Sequence, residues 1–90
     1  LEAPGRLTLD MNFTDSSSHR VSFYAADYRD DNRSQRLTLI DAETGIVLSN
    51  VDLNNFEKGK YVTYDLVGHV IVQITNLSGP SAVLSGIFFD

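Results

Sequence analysis

The chain has 90 residues, no cysteine and a formal net charge of −5. Because a chain of this length buries one hydrophobic core, we expect a single domain over residues 1–90. The lack of cysteine excludes disulfides, thiolate metal sites and thiol nucleophiles, and the negative charge argues against binding to the phosphate backbone of nucleic acids. The longest apolar runs are far shorter than a membrane-spanning helix, so we expect no insertion into membranes.

The residue composition favours β-strands. Val, Ile, Thr, Tyr and Phe account for 28 of the 90 residues, and these side chains suit a pleated, half-buried surface. Near the N-terminus, Leu7, Leu9, Met11 and Phe13 alternate with polar residues. This period of two is typical of a strand with one face in water.

Further strands follow in chain order, with turn residues such as Thr44-Gly45 and Lys58-Gly59-Lys60 between them. The predicted strands are 7–13, 21–25, 37–40, 46–48 with an extension toward Leu53, 62–66, 70–74 and 82–89. Residues 27–36 contain no aliphatic side chain and are predicted to be a connection. Residues 1–5 lack a strand pattern and are expected to be a linker remnant or a cloning scar.

Seven or eight short strands with turns between them predict an all-β fold, namely an antiparallel β-sandwich or a small jelly roll. By alternation, Phe13, Phe23 and Tyr64 are expected in the core, together with Phe56 after a turn. The adjacent residues Phe88 and Phe89 must point to opposite faces of a regular strand. One of these two rings therefore lies outside the main core.

Catalytic machinery is not expected. His19 and His69 are the only histidines, no Gly-x-Ser-x-Gly sequence occurs, and a hydrolytic triad needs a nucleophile, a base and an orienting carboxylate. The two histidines are expected to be structural or to face solvent. A sandwich of this size also leaves little room for a deep cleft, so we predict a protein that is not an enzyme and requires no cofactor.

The predicted connection is rich in charge and has three interpretations. Asp30, Asp31 and Asn32 offer the oxygen ligands that Ca²⁺ prefers, which allows a structural calcium site. The segment also contains three arginines and three aspartates, so its charges can pair with one another, with Arg33 holding Asp27. The third interpretation is that these side chains recognise a ligand.

Three tyrosines are candidates for a ligand surface, with ordinary surface positions as the alternative. Tyr24 and Tyr61 lie on the predicted wet faces of their strands, and Tyr28 lies in the charged connection. Sugar recognition combines an aromatic ring, which packs on C–H groups, with planar polar side chains that bind hydroxyls. The predicted ligand-binding residues are Tyr24, Tyr28, Arg29, Asp30, Asn32 and Tyr61.

Three segments carry a family resemblance: VSFYAADYRDDNRSQRLTLIDAETGIVL from Val21, FEKGKY from Phe56, and AVLSGIFFD at the C-terminus. Together they resemble a β-sandwich module that recurs in large secreted bacterial proteins, many of them active on glycans. Two positions depart from the family pattern, since Tyr28 stands where members often have Trp and Arg29 where they often have Asp.

This resemblance implies a noncatalytic accessory module of an exported bacterial protein, with polysaccharide or oligosaccharide binding as its leading role. The partners that it implies are a glycan and the other domains of the parent polypeptide. Sandwich modules also serve as spacers or adhesion domains, so a structural role with no glycan ligand is the alternative.

Overall fold

A computed structural model of the chain describes residues 2–26, 33–54, 56, 58–79 and 81–89. These residues form nine strands, and none of them lies in a helix that is long and apolar enough to cross a membrane. The strands are β1 Glu2–Ala3, β2 Arg6–Asn12, β3 His19–Ala25, β4 Ser34–Asp41, β5 Val47–Asn54, β6 Lys60–Leu66, β7 His69–Ser78, β8 Ala82–Val83 and β9 Gly86–Phe89.

All strand pairs in the described residues are antiparallel. One sheet has the order β2-β7-β4-β5, a second has the order β6-β3-β9, and β1 pairs with β8 in a small third sheet. Apolar side chains from the two larger sheets form one buried cluster, which includes Phe23 of β3, Leu37 of β4 and Val72 of β7. The chain is therefore all-β, with antiparallel sheets enclosing a shared core as in a β-sandwich.

The aromatic residues that alternation assigns to the interior do contribute to it. Phe23 and Phe56 are almost fully buried, and Phe13 and Tyr64 are partly buried against the main cluster. Phe56 belongs to a second, smaller cluster that also contains Leu53. Alternation thus correctly predicts which side of β3 and β6 faces the core.

The prediction of a connection over residues 27–36 is wrong at its end, because β4 begins at Ser34. Arg33 and Gln35 are buried, although both are polar. The side-chain amide of Gln35 donates to the carbonyl of Val83 and accepts from its N–H, each at 2.9 Å, as a neighbouring strand would. Buried polar groups are tolerated when they are hydrogen-bonded, which is why a segment without aliphatic residues can enter the sheet.

The predicted closing strand 82–89 is interrupted. Its first part, β8, pairs with β1, and its second part, β9, pairs with β3. Between them, Leu84 is buried in the core, while the Ser85 N–H donates to the Tyr24 carbonyl at 2.8 Å. The closing segment therefore contributes one strand to each of two sheets. This division, together with the short β1, is why the described residues form nine strands where the sequence predicts seven or eight.

Candidate binding surface

The outer side of the β6-β3-β9 sheet carries an unusual concentration of aromatic rings. Tyr24 of β3 lies directly opposite Tyr61 of β6 and Gly86 of β9, and Phe88 lies one outward position further along β9. We call Tyr24, Tyr61 and Phe88 the aromatic cluster. We call this side of the sheet the aromatic face, and its outward residues are Arg20, Ser22, Tyr24, Tyr61, Thr63, Asp65, Gly86 and Phe88.

The three rings form a chain of contacts through Tyr61, and all three are at least partly exposed to solvent. The ring centroids of Tyr24 and Tyr61 are 4.6 Å apart with an interplanar angle of 40°, and those of Tyr61 and Phe88 are 6.1 Å apart at 49°. Tyr61 is 64% exposed and Phe88 is 53% exposed, whereas Tyr24 is half-buried. Tyr61 and Phe88 thus present two large apolar rings to water, and Tyr61 also packs on the half-buried ring of Tyr24.

Two glycines make room for these rings. Gly59 has a φ of 89°, and a Cβ at this position would lie 2.2 Å from the hydroxyl oxygen of Tyr24. A Cβ on Gly86 would lie 3.0 Å from the ring of Phe88. Because neither glycine has a side chain, the rings of Tyr24 and Phe88 can approach the backbone closely at these positions. The sequence motif FEKGKY therefore contributes both Gly59 and Tyr61 to the cluster.

Polar side chains continue the aromatic face along β3. Next to the rings, the hydroxyls of Ser22 and Thr63 are hydrogen-bonded across the strands at 2.9 Å. Beyond them, Nε of Arg20 donates to Oδ1 of Asp65 at 3.2 Å. The aromatic face therefore changes in one direction from apolar rings to hydroxyls and then to an ion pair.

The Arg20–Asp65 pair is held by one contact. Among the described residues, the Nη groups of Arg20 and Oδ2 of Asp65 have no hydrogen-bond partner, and both side chains are exposed. A guanidinium carries five N–H donors and a carboxylate accepts at two oxygens. This pair therefore presents both donors and acceptors to anything that lies on the face.

Of the ligand-binding residues predicted from the sequence, Tyr24 and Tyr61 are brought together. The other four predicted ligand residues and the predicted calcium ligands lie outside the described residues, so those two hypotheses stay predictions. The residues concerned are Tyr28, Arg29, Asp30, Asp31 and Asn32. Within the part of the chain that the structure describes, no three His, Asp or Glu side chains are grouped so that they could hold a metal ion.

Arg33 has partners that the sequence does not predict. Its guanidinium Nη2 donates to Oε1 of Glu2 at 3.2 Å, and its Nε donates to the carbonyl of Ser81 at 3.3 Å. Gly79, whose φ is 95°, packs against its Cα and Cγ. Arg33 thus connects β1 to the segment before β8, while its predicted pairing with Asp27 lies outside the described residues.

The two histidines form hydrogen bonds with aspartates away from the aromatic cluster. His69 contacts Asp10, and the ring of His19 stacks on Phe13 with centroids 4.4 Å apart. Nε2 of His19 also lies 2.7 Å from Oδ1 of Asp15, and this hydrogen bond lowers the pKa of the Asp15 carboxyl. These contacts give both histidines partners at the surface.

Four members of the aromatic face are not predicted as site residues by the sequence pattern: Arg20, Asp65, Gly86 and Phe88. Alternation does place one of the Phe88 and Phe89 rings outside the core, and this is the signal that pointed to the cluster. The strands β6 and β9, which flank β3 on either side, are far apart from β3 in the sequence, so their pairing with β3 could not be read from any one segment. Comparisons with protein-family models, curated proteins and solved structures find no match for the chain.

Proposed function

We propose that this chain is a noncatalytic carbohydrate-binding module and that it binds a glycan chain on the aromatic face. The observation that carries the proposal is the cluster of Tyr24, Tyr61 and Phe88, two of whose rings are more than half exposed. In the sequence, the resemblance to accessory modules of exported bacterial proteins supports the same function.

The chemistry of the aromatic face suits a sugar better than a purely apolar ligand. Exposed rings pack on the C–H faces of pyranose units, while hydroxyl, guanidinium and carboxylate groups bind sugar hydroxyls. Both kinds of group lie on one side of one sheet, with Ser22 and Thr63 directly beside the rings. Rigid strands also hold the groups in place, so that little conformational freedom is lost when a ligand binds.

We further infer that the sandwich is a jelly roll, and the strand order supports this. If β8 and β9 are counted as one interrupted strand, the sheet β1-β8-β3-β6 faces the sheet β2-β7-β4-β5. An eight-stranded jelly roll, which consists of two Greek keys, arranges its strands in this order.

A spacer or adhesion module without a glycan ligand is the second candidate. The observation that favours it is the use of Arg33 and Gln35, the charged and polar residues of one family-like motif, in internal hydrogen bonds. In a spacer, the aromatic cluster would be a surface without a ligand, and removing its rings would change no binding property.

Affinity electrophoresis in gels that contain a soluble polysaccharide separates the two candidates. The panel consists of mixed-linkage β-glucan, xyloglucan, galactomannan, arabinoxylan and laminarin. We expect at least one of these to retard the wild-type chain, and we expect Phe88→Ala to reduce the retardation. If no member of the panel retards the wild-type chain, glycan binding on this face is contradicted.

The neighbouring residue supplies a matched control. Phe89 is 63% exposed, but it lies opposite Val21, whose side chain faces the core, and so belongs to the other side of β9. Phe89→Ala removes the same side chain from the same strand without touching the aromatic face. Equal losses of retardation in Phe88→Ala and Phe89→Ala would show that the position of the ring does not matter, contrary to the proposal.

A further inference from the structure

We propose, on the basis of the proposed function, that the glycan runs along β3 and is a neutral chain of several units, with one end on the aromatic cluster and the other on the Arg20–Asp65 pair. These two ends of the aromatic face are both on β3, at Tyr24 and Arg20. The inference therefore concerns the direction, length and charge of the ligand.

The length follows from strand geometry. Tyr24 and Arg20 are four residues apart on the same outward side of β3, a distance of about 13 Å, which corresponds to roughly two to three pyranose units. A disaccharide on the rings would leave the ion pair in water. A tri- or tetrasaccharide would also reach the Ser22 and Thr63 hydroxyls and then the Arg20–Asp65 pair.

A second Arg–Asp pair shows why Arg20 and Asp65 suit ligand contact. On the β2-β7-β4-β5 sheet, Nε of Arg36 donates to Oδ1 of Asp52 at 2.7 Å and Nη2 donates to Oδ2 at 3.1 Å. That fork uses both carboxylate oxygens, whereas the Arg20–Asp65 contact uses one. The Arg20–Asp65 pair retains the donors and the acceptor that a pair of neighbouring sugar hydroxyls would need.

The charge balance of the aromatic face indicates a neutral glycan. Among the outward residues of β3, β6 and β9, Arg20 and Asp65 are the two charged ones, and their charges are opposite. A uronic acid carboxylate that approached Arg20 would also approach Asp65. Because like charges at close range repel each other, anionic chains are disfavoured at this end.

Isothermal titration calorimetry with cello-, manno-, xylo- and laminari-oligosaccharides, from disaccharides to hexasaccharides, tests the length. We expect the affinity of the series that binds to rise about tenfold between the disaccharide and the tetrasaccharide and to change little beyond it. Arg20→Ala and Asp65→Ala should each lower tetrasaccharide affinity about fivefold to tenfold and leave disaccharide affinity nearly unchanged. Arg36→Ala and Asp52→Ala, the matched pair on the other sheet, should change neither.

A second arm tests the charge with polygalacturonate. We expect the wild-type chain to bind this anionic polymer more weakly than neutral glycans, and Asp65→Asn, which leaves Arg20 unbalanced, to bind it more strongly than the wild type. Stronger binding of polygalacturonate than of neutral chains by the wild-type protein would overturn the inference of a neutral ligand.

The outcomes distinguish the inference from the function on which it rests. If no oligosaccharide binds, or if Phe88→Ala leaves binding intact, the proposed function itself is wrong. If binding depends on Phe88 but is independent of chain length, Arg20 and Asp65, the aromatic cluster binds sugar and the path along β3 is wrong.

Discussion

The two outer sides of the sandwich cover the same core and have opposite surfaces. The aromatic face exposes Tyr61 and Phe88 to water. The outer side of the β2-β7-β4-β5 sheet, which we call the polar face, carries no Tyr, Phe or Trp among its described residues. Its outward residues include the half-buried Ile40 and Ile71 but are mostly polar or charged: Arg6, Thr8, Asp10, Asn12, Arg36, Thr38, Asn50, Asp52, His69, Gln73 and Thr75.

The two sides differ in how many of their polar side chains are hydrogen-bonded to one another. On the polar face, Arg6 donates to Thr75, Arg36 to Asp52 and Thr38 to Asn50 across neighbouring strands. On the aromatic face, exposed apolar rings and unused polar atoms lie next to each other. A surface whose polar groups are paired among themselves gains little from a ligand, whereas exposed rings gain by leaving water.

The largest expected effect is loss of glycan binding when two rings are removed from the aromatic face. Tyr61→Ala with Phe88→Ala should weaken affinity about thirtyfold to several hundredfold, because each exposed ring contributes roughly 1–2 kcal/mol to binding by packing on a sugar. Thr8→Ala with Gln73→Ala is the control on the polar face. Calorimetry with the polysaccharide that retards the wild type measures the affinity of both double variants. An equal loss of affinity in the two would contradict binding on the aromatic face in preference to the polar face.

A large effect on stability, without an effect on binding, is expected at Gln35. Gln35→Leu removes both hydrogen bonds to the backbone of Val83 and leaves a buried N–H and C=O unpaired, which should lower the free energy of unfolding by about 2–4 kcal/mol. Urea denaturation measures this loss. Affinity per folded molecule should be unchanged, and a variant of normal stability that no longer binds glycan would place the site near Gln35 instead of on the aromatic face.

A smaller effect on both properties is expected at Gly59, which links the backbone to the aromatic cluster. Gly59→Ala places a methyl group against Tyr24 at a φ of 89°, so stability should fall by about 1–2 kcal/mol and affinity by a few-fold as the ring shifts. Gly45→Ala is the matched control, because Gly45 has a φ of 75° and open space around its Cα. Gly45→Ala should lower stability and leave affinity unchanged. A similar loss of affinity in both variants would contradict a role for the Tyr24 contact.

The smallest expected effect concerns the ion pair of the polar face. The hydrogen bond from Arg36, and then its charge, lower the pKa of the Asp52 carboxyl below its ordinary value of 3.8. A carboxyl whose pKa is lowered by folding stabilises the native state above its unfolded pKa, and the contribution disappears as the pH falls through the folded pKa. Arg36→Ala should therefore lower the melting temperature slightly at neutral pH and not at a pH well below 3.8. Equal melting-temperature shifts at both pH values would contradict this assignment.

Sequence patterns predict the strands and their faces because alternation is a local property. Tyr24 and Tyr61 could thus be assigned to wet faces from their neighbours alone. The pairing of β3 with both β6 and β9 could not be predicted, because it depends on contacts between distant segments. The burial of Arg33 and Gln35 could not be predicted either, because burial of polar residues depends on partners, here Ser81 and Val83, that a local pattern does not reveal.

The most direct test of the account is to map the binding surface by NMR. In ¹⁵N-labelled protein titrated with cellohexaose, mannohexaose, xylohexaose and laminarihexaose, we expect the hexasaccharide that binds to shift amide signals of β3, β6 and β9, around Ser22, Tyr24, Thr63 and Phe88. Signals of the polar face, such as those of Thr8, Thr38 and Gln73, should not move. Shifts concentrated on the polar face, or no shifts with any of the four sugars, would contradict glycan binding on the aromatic face.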